Sequence, residues 1–252
     1  MGVDYSVTGS VATITLDAPE RRNALSAELL GQLRAHLDAA EAEPAVRTVV
    51  LGHTGPAFCS GMDLTAVADV PAADQPINAF PVLLQRLWEY PKPVLARVDG
   101  KARAGGIGLI AAADLAIASD KADFAFTEVR LGLVPAVISV PVLPRLLPRA
   151  ALELCLTGET FGAERAAEIG LLNRVVPDLD AELARLSAMF DLCEPKALAA
   201  TKAMLRRERA GVPMAVDYAA MSELSAGYFA SAEAAEGIAA FREKRPPAWV
   251  QR

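Results

Sequence analysis

Two stretches of this 252-residue chain constrain its fold more than any other feature. Each runs from a buried-type apolar segment through glycine into what reads as the start of a helix. The first is Ala57-Phe58-Cys59-Ser60-Gly61-Met62-Asp63-Leu64, which follows the apolar segment Val46 to Gly52. The second is Val98-Asp99-Gly100-Lys101-Ala102-Arg103-Ala104-Gly105-Gly106-Ile107-Gly108, which follows Val94 to Val98. A helix N-terminus leaves backbone N–H groups without partners, and these suit an anion or a developing oxyanion. The plainer reading of either stretch is a strand-to-helix turn in which glycine only supplies a permissive backbone.

The rest of the pattern is that of an α/β protein. Val11 to Leu16 alternates apolar and polar residues, the period of a half-buried strand, and Tyr5 to Thr8 before it completes a hairpin. Ser26 is placed to cap a helix whose apolar face is Leu29, Leu30, Leu33, Leu37 and Ala40, although Leu29 stands where a capping-box acid belongs. Phe80 to Trp88 reads as a helix ended by Pro91, Gly105 to Ala113 as a second, and Leu115 to Ala118 as the strand after it. From about Val137 strands almost vanish, apart from Asn173 to Val176. Ala181 to Phe190, Lys196 to Glu208, Val216 to Phe229 and Ala232 to Arg242 all read as helices. These features predict an α/β body over residues 1–194 and a helical region over 195–252. Ala66 to Asn78 reads as an irregular polar loop.

Composition narrows the function. Apolar residues make up 53% of the chain, which is incompatible with a disordered polymer. The net charge of −6 disfavours nucleic-acid binding, which needs a basic surface, but leaves room for a local basic pocket. Three cysteines and two histidines at no ligand-like spacing predict no metal site. No apolar run approaches the about 20 residues of a membrane span, and the start lacks a signal-peptide pattern. A cytoplasmic protein with no membrane partner is expected.

Glu128 lies among apolar residues in Phe124-Ala125-Phe126-Thr127-Glu128-Val129-Arg130-Leu131-Gly132-Leu133-Val134-Pro135. Burial disfavours a charged carboxylate and raises its pKa, which suits proton transfer. A surface ion pair with Arg130 is the alternative. Gly106-Ile107-Gly108-Leu109-Ile110-Ala111 also fits a G-x-G-x-x-A dinucleotide fingerprint, with Glu128 placed 20 residues beyond Gly108. A nicotinamide-dependent dehydrogenase is disfavoured, because Asp99 to Gly105 separates the strand from those glycines. Cys59-Ser60 has no histidine close in sequence and no nucleophile elbow around it, so it is not a catalytic nucleophile pair.

Taken in order, these segments resemble the crotonase (enoyl-CoA hydratase/isomerase) superfamily. The resemblance begins at Pro19-Glu20-Arg21-Arg22-Asn23-Ala24-Leu25, similar to the family's P-x-x-x-N-A-L. It continues through both glycine turns and the Glu128 segment, and ends at Phe241-Arg242-Glu243-Lys244-Arg245-Pro246-Pro247. It implies a ClpP/crotonase spiral of β-β-α units, with a helical C-terminal region that assembles a homotrimer or a hexamer (a dimer of trimers). It implies an acyl-CoA substrate and no separate cofactor, since coenzyme A enters as part of the thioester. The thioester oxygen would be held by the amides of Met62 and Gly105, and Glu128 would be the catalytic carboxylate. Arg22, Ala24, Ser60, Asp63, Leu64, Gly108, Phe241 and Lys244 would line the substrate site. Two-glutamate hydratases of the family carry a second glutamate where this chain has Gly108. With one carboxylate, the resemblance implies an enoyl-CoA hydratase, with a Δ3-Δ2 enoyl-CoA isomerase or a non-catalytic acyl-CoA-binding member as alternatives. Thr65 stands where the family often has a phosphate-binding Lys or Arg.

Overall fold

The computed structural model describes residues 2–63, 78–207 and 214–250. The chain forms two compact units, Met1–Ser187 and Ala188–Arg252, and the division falls inside the helix Leu179–Asp191.

The first unit begins with the expected hairpin. Strands β1 (Val3–Thr8) and β2 (Val11–Leu16) pair antiparallel, Val3 opposite Leu16 and Thr8 opposite Val11. Ala12, Ile14 and Leu16 face inward, as the alternation requires. Helix α1 (Ala27–Ala42) is capped by Ser26, whose Oγ accepts the Leu29 N–H at 3.2 Å. It buries the predicted face of Leu29, Leu30, Leu33, Leu37 and Ala40.

A three-part turn then repeats. Strands β3 (Thr48–His53) and β4 (Ala57–Cys59) lead toward α2 (Phe80–Trp88). Strands β5 (Val94–Val98) and β6 (Lys101–Arg103) lead into α3 (Gly105–Ala112). Strands β7 (Leu115–Ala118) and β8 (Asp123–Ala125) lead into a 3-10 turn, Glu128–Leu131, and α4 (Ala136–Val142). After them come α5 (Pro148–Thr157), β9 (Phe161–Gly162), α6 (Ala163–Glu168), β10 (Arg174–Val175) and α7 (Leu179–Asp191).

The first strand of each turn enters a six-stranded sheet of order β1-β2-β3-β5-β7-β10, parallel from β2 onward. The second strand enters a four-stranded sheet, β4-β6-β8-β9. This is the β-β-α spiral of the crotonase fold. It is not the doubly wound single sheet that the dinucleotide fingerprint requires.

The second sheet, with β4, β6, β8 and the two-residue β9, has no counterpart in the sequence pattern. Three residues are too few for a period of two to show, and their pairing is decided by neighbours far along the chain. Helix α3 lies at the centre, with all eight residues buried, as an all-apolar helix demands. The second unit contains α8 (Pro195–Arg206), α9 (Met214–Phe229) and α10 (Ala232–Glu243), the last capped by Ser231.

Asn23 locks the segment between β2 and α1 onto the loop joining β3 to β4. It is fully buried and adopts a left-handed backbone, φ 53°, which Asn tolerates better than most residues. Its Oδ1 accepts the Ala18 N–H at 2.8 Å, and its Nδ2 donates to Thr54 O at 3.1 Å and Ala57 O at 2.8 Å. The neighbouring backbone continues the strap: Ser60 N–H donates to Arg22 O, Leu25 N–H to Gly61 O, and Asp63 N–H to Leu25 O. Asn23→Ala leaves a buried amide and two buried carbonyls short of partners. We expect a stability loss of about 3 kcal/mol, read as a lowered midpoint with unchanged slope in urea unfolding.

Candidate active site

The two glycine turns meet. At Gly61, φ 92° is a conformation that favours glycine, and a Cβ there would lie 3.1 Å from Ala104 Cβ and 3.6 Å from Gly105 N. One residue further into α3 the contact is tighter. A Cβ on Gly106 would stand 2.7 Å from Cys59 O and 2.8 Å from Cys59 Cβ. Backbone therefore packs on backbone where β4 meets α3. Ala104, immediately before α3, has φ 46° and ψ −113°, an unfavourable region for a residue with a Cβ. It turns the chain sharply into the helix, so that Gly105 opens α3.

The amide directions follow from this pairing. Met62 forms a parallel bridge with Leu25, in which Gly61 C=O and Asp63 N–H point to Leu25. Backbone groups alternate in direction along an extended chain, so the Met62 N–H points to the opposite side. Gly105 contributes a first-turn N–H of α3, where the helix dipole adds partial positive charge. Among the described residues, neither amide is donated to an acceptor.

The second sheet brings the segment that carries Glu128 to the start of α3. Arg103 of β6 pairs with Ala125 of β8, and Ala104 N–H donates to Ala125 O, so the segment after β8 runs beside the start of α3. Glu128 opens the 3-10 turn and is only 8% exposed. Its Oε2 is buried with no hydrogen-bond partner. Burial pushes its pKa above the ordinary glutamate value, and the residue's own backbone amide pulls weakly the other way. The ion pair with Arg130 does not form. Arg130 Nε instead donates to Thr157 O at 3.1 Å, at the end of α5. Cys155 of the same helix lies near enough that the Glu128 charge, after burial, helps raise its thiol pKa.

A polar cleft of about 560 Å³ gathers Arg22, Ala24, Ser60, Met62 and Asp63 together with Glu20, Arg21, Arg103 and Thr127. Arg21 stands 3.7 Å from the Asp63 carboxylate. Arg103 and Thr127 were not assigned roles from sequence. Arg103 sits inside the glycine-turn motif, but that its side chain faces the cleft follows only from the β6–β8 pairing. Its guanidinium is tied to the Asp123 carboxylate, and its Nη1 also donates to Asp123 O at 2.9 Å.

Gly108 does not line this cleft. It is buried in α3, and a Cβ there would meet Ile138 Cγ2 at 2.7 Å. Leu64, Thr65 and residues 66–77 of the expected loop lie outside the described residues. Phe241 and Lys244 belong to the second unit. Phe241 is 85% exposed, and Lys244 ends α10 in a left-handed conformation.

Other candidates have structural roles. Cys59 is fully buried and its thiol pKa is pushed up to about 12 by that burial, so it is a poor nucleophile. His36 stacks on Tyr5, ring centroids 5.1 Å apart, and His53 Nε2 accepts the Asp99 N–H at 3.0 Å. Among the described residues no cluster of His, Cys, Asp or Glu could hold a metal ion, and no helix is long and apolar enough to cross a membrane.

The family and the fold recur in known proteins. The family model for enoyl-CoA hydratase/isomerase matches residues 6–252. An enoyl-CoA hydratase structure from Mycobacterium avium is 44% identical, with 98% of each chain covered and a TM-score of 0.75. One from Shewanella pealeana superimposes with a TM-score of 0.94 at 31% identity, covering 99% of this chain and 96% of that one. Carnitinyl-CoA dehydratase of Escherichia coli O157:H7 is 34% identical over 254 residues, 97% of this chain and 96% of its own. This chain belongs to the enoyl-CoA hydratase/isomerase family, the crotonase superfamily.

Proposed function

We propose that the protein is an enoyl-CoA hydratase that uses a single glutamate. The observation that carries this reading is Glu128, buried with a carboxylate oxygen that has no hydrogen-bond partner among the described residues, in the segment that follows β8, whose Ala125 accepts the Ala104 N–H at the entry to α3. The thioester oxygen of a 2-enoyl-CoA accepts from Met62 and Gly105 N–H. As water adds at C3, negative charge moves onto that oxygen, where each donor contributes about 3–4 kcal/mol. Glu128 takes a proton from the attacking water and returns it to C2. The hydroxyl ends on C3, the proton on C2, and the carboxylate is regenerated. A raised pKa brings the carboxylate nearer the working pH, where a general base is most effective. Arg21, Arg22 and Arg103 give the cleft cations for the coenzyme A phosphates in an otherwise acidic chain. The names of relatives, hydratases and a carnitinyl-CoA dehydratase, support water addition or loss.

One observation favours a second reading. The position of the second glutamate in two-carboxylate members is Gly108, and it is roofed by Ile138 and Leu84 rather than by polar groups. A single carboxylate, with no polar group at the second position, suits proton transfer between C4 and C2, which is Δ3-Δ2 isomerisation and consumes no water. A 2-enoyl and a 3-enoyl thioester separate the two. The hydratase converts the first to a 3-hydroxyacyl product, whereas an isomerase only moves the double bond of the second.

We also propose that the second unit assembles trimers, singly or paired into hexamers. Its support is the exposed apolar surface of α9, where Met214, Val216, Tyr218 and Phe229 are all more than half exposed. Sedimentation equilibrium should then give three or six times 26.5 kDa, and a stable monomer would refute the assignment.

Glu128→Gln tests the chemistry. It keeps the shape and loses the base, so kcat should fall roughly 10²–10⁴-fold with acyl-CoA affinity nearly unchanged. Full activity in this variant would move the chemistry to another residue.

Glu128 also makes a pH prediction. Its folded pKa is raised, so between the ordinary glutamate value and the raised one the native state holds more proton than the unfolded chain. Stability therefore falls as pH rises through that window. Glu128→Gln should melt higher than the parent at neutral pH, and the difference should vanish below the ordinary glutamate pKa. An unchanged difference across the titration would mean that the carboxylate is not destabilised by burial.

A further inference from the structure

The face of the six-stranded sheet opposite to Ile14 and Leu16 carries residues that the proposed chemistry does not use. Side chains on one face of a sheet come from every second residue of each strand. Thr15 of β2 pairs with Gly52 of β3, and Leu51 pairs with Ala96 of β5, so Arg97 comes level with Gly52 on its other side. Neighbouring strands are about 4.8 Å apart, which sets the Thr15 and Arg97 backbones about 10 Å apart with only a glycine between them. Gly52 is buried, yet a Cβ there would meet no atom within 4 Å. The space beside it is a cavity of about 330 Å³, with Asp180, Leu183 and Ala184 of α7 among its walls. This cavity shares no lining residue with the polar cleft around Ser60 and Arg103.

We propose that this cavity is a second binding site, for a short-chain carboxylic acid whose carboxylate meets Arg97 and whose alkyl body lies over Gly52. The volume is at the low end of the about 300–1,000 Å³ of small-molecule sites, so the ligand is small. The Arg97 side chain is only 24% exposed. Its Nε donates to Asp180 Oδ1 at 2.9 Å, and among the described residues its two Nη groups donate to no acceptor. That edge of the guanidinium matches a planar carboxylate in two parallel hydrogen bonds. Asp180 is 80% exposed, and a pair with so exposed a partner holds the cation weakly. His53, also in the wall, adds no charge. Its Nε2 accepts the Asp99 N–H, which leaves the proton on Nδ1, and burial pushes its pKa down. One cation with a carboxylate beside it suits a monoanion rather than a phosphate dianion. Val50 and Leu183 supply apolar wall for the alkyl body. The site is independent of the acyl-CoA reading, because it uses none of the residues assigned to that chemistry.

Calorimetric titration of the full-length protein in a carboxylate-free buffer tests the site. The probes are butyrate, butyramide and inorganic phosphate. Butyrate should bind with a Kd of about 1 mM or tighter. Butyramide keeps the shape without the charge and should bind roughly tenfold or more weakly, and phosphate should bind no better than the amide. Gly52→Val places in the cavity a side chain that strands favour, and should abolish butyrate binding. Arg97→Gln should weaken it roughly tenfold or more. Asp180→Asn, which releases the cation, should tighten it about threefold. Thermal melts establish that each variant is folded, and Gly52→Ala, with a partial loss expected, keeps the test open if the valine variant is not. No heat from butyrate at roughly 10 mM overturns the proposal. Butyrate binding unchanged in both Gly52→Val and Arg97→Gln places the acid elsewhere on the protein and also overturns it. Butyramide binding as tightly as butyrate, or phosphate more tightly, overturns the choice of a carboxylic acid as the ligand.

Discussion

The contact between Gly106 and Cys59 is the one on which the rest of the candidate active site depends. Backbone meets backbone there, with no room for a Cβ, and this sets how closely α3 approaches β4. Everything functional is referenced to that distance. Gly61 lies against Ala104 and Gly105 because β4 and α3 are so close, and the two amides offered for an oxyanion come from the two sides of the same contact. A larger separation would leave two unrelated helix-entry turns. The unfavourable backbone of Ala104 is held by what surrounds it: its N–H bonds to Ala125 O in β8, and its C=O accepts from Ile107 and Gly108 inside α3.

Glu128 shows the opposing demands on such a site. A buried carboxylate oxygen with no partner costs folding free energy, and a neighbouring cation would relieve it. Arg130 is two residues away yet bonds to the end of α5 instead. The carboxyl group is thus left with a raised pKa, which is poor for stability and useful for moving protons. The cleft beside it is treated differently. Arg103 is anchored by Asp123, and Arg21 lies near Asp63, so two of its cations stand beside carboxylates.

Much of this was legible in the chain. The hairpin follows from the alternation of Val11 to Leu16, and α1 from Ser26 and the spacing of its leucines. The burial of α3 follows from eight consecutive residues without a polar side chain. The ordered motifs from Pro19 to Pro247 carried the family, and with it the expectation that both glycine turns serve one site. These signals are local: each depends on residues within one or two turns of one another, so periodicity and capping chemistry reveal them.

What only the tertiary structure decided lies in contacts between distant segments. Strands β4, β6 and β8 exist because they pair with one another, since three residues carry no period of their own. Asn23 finds its acceptors 31 and 34 residues away, which explains why that position needs a short amide as well as a left-handed backbone. Arg103 faces the cleft because β8 supplies Asp123, and Arg130 turns from Glu128 because α5 ends beside it. Gly108 reads in sequence as a missing carboxylate, and in space as a surface already occupied by Ile138 of another helix. The sequence determined which groups could do chemistry. Three-dimensional packing decided which of them lost their partners to burial, because desolvation and close approach are properties of neighbours in space.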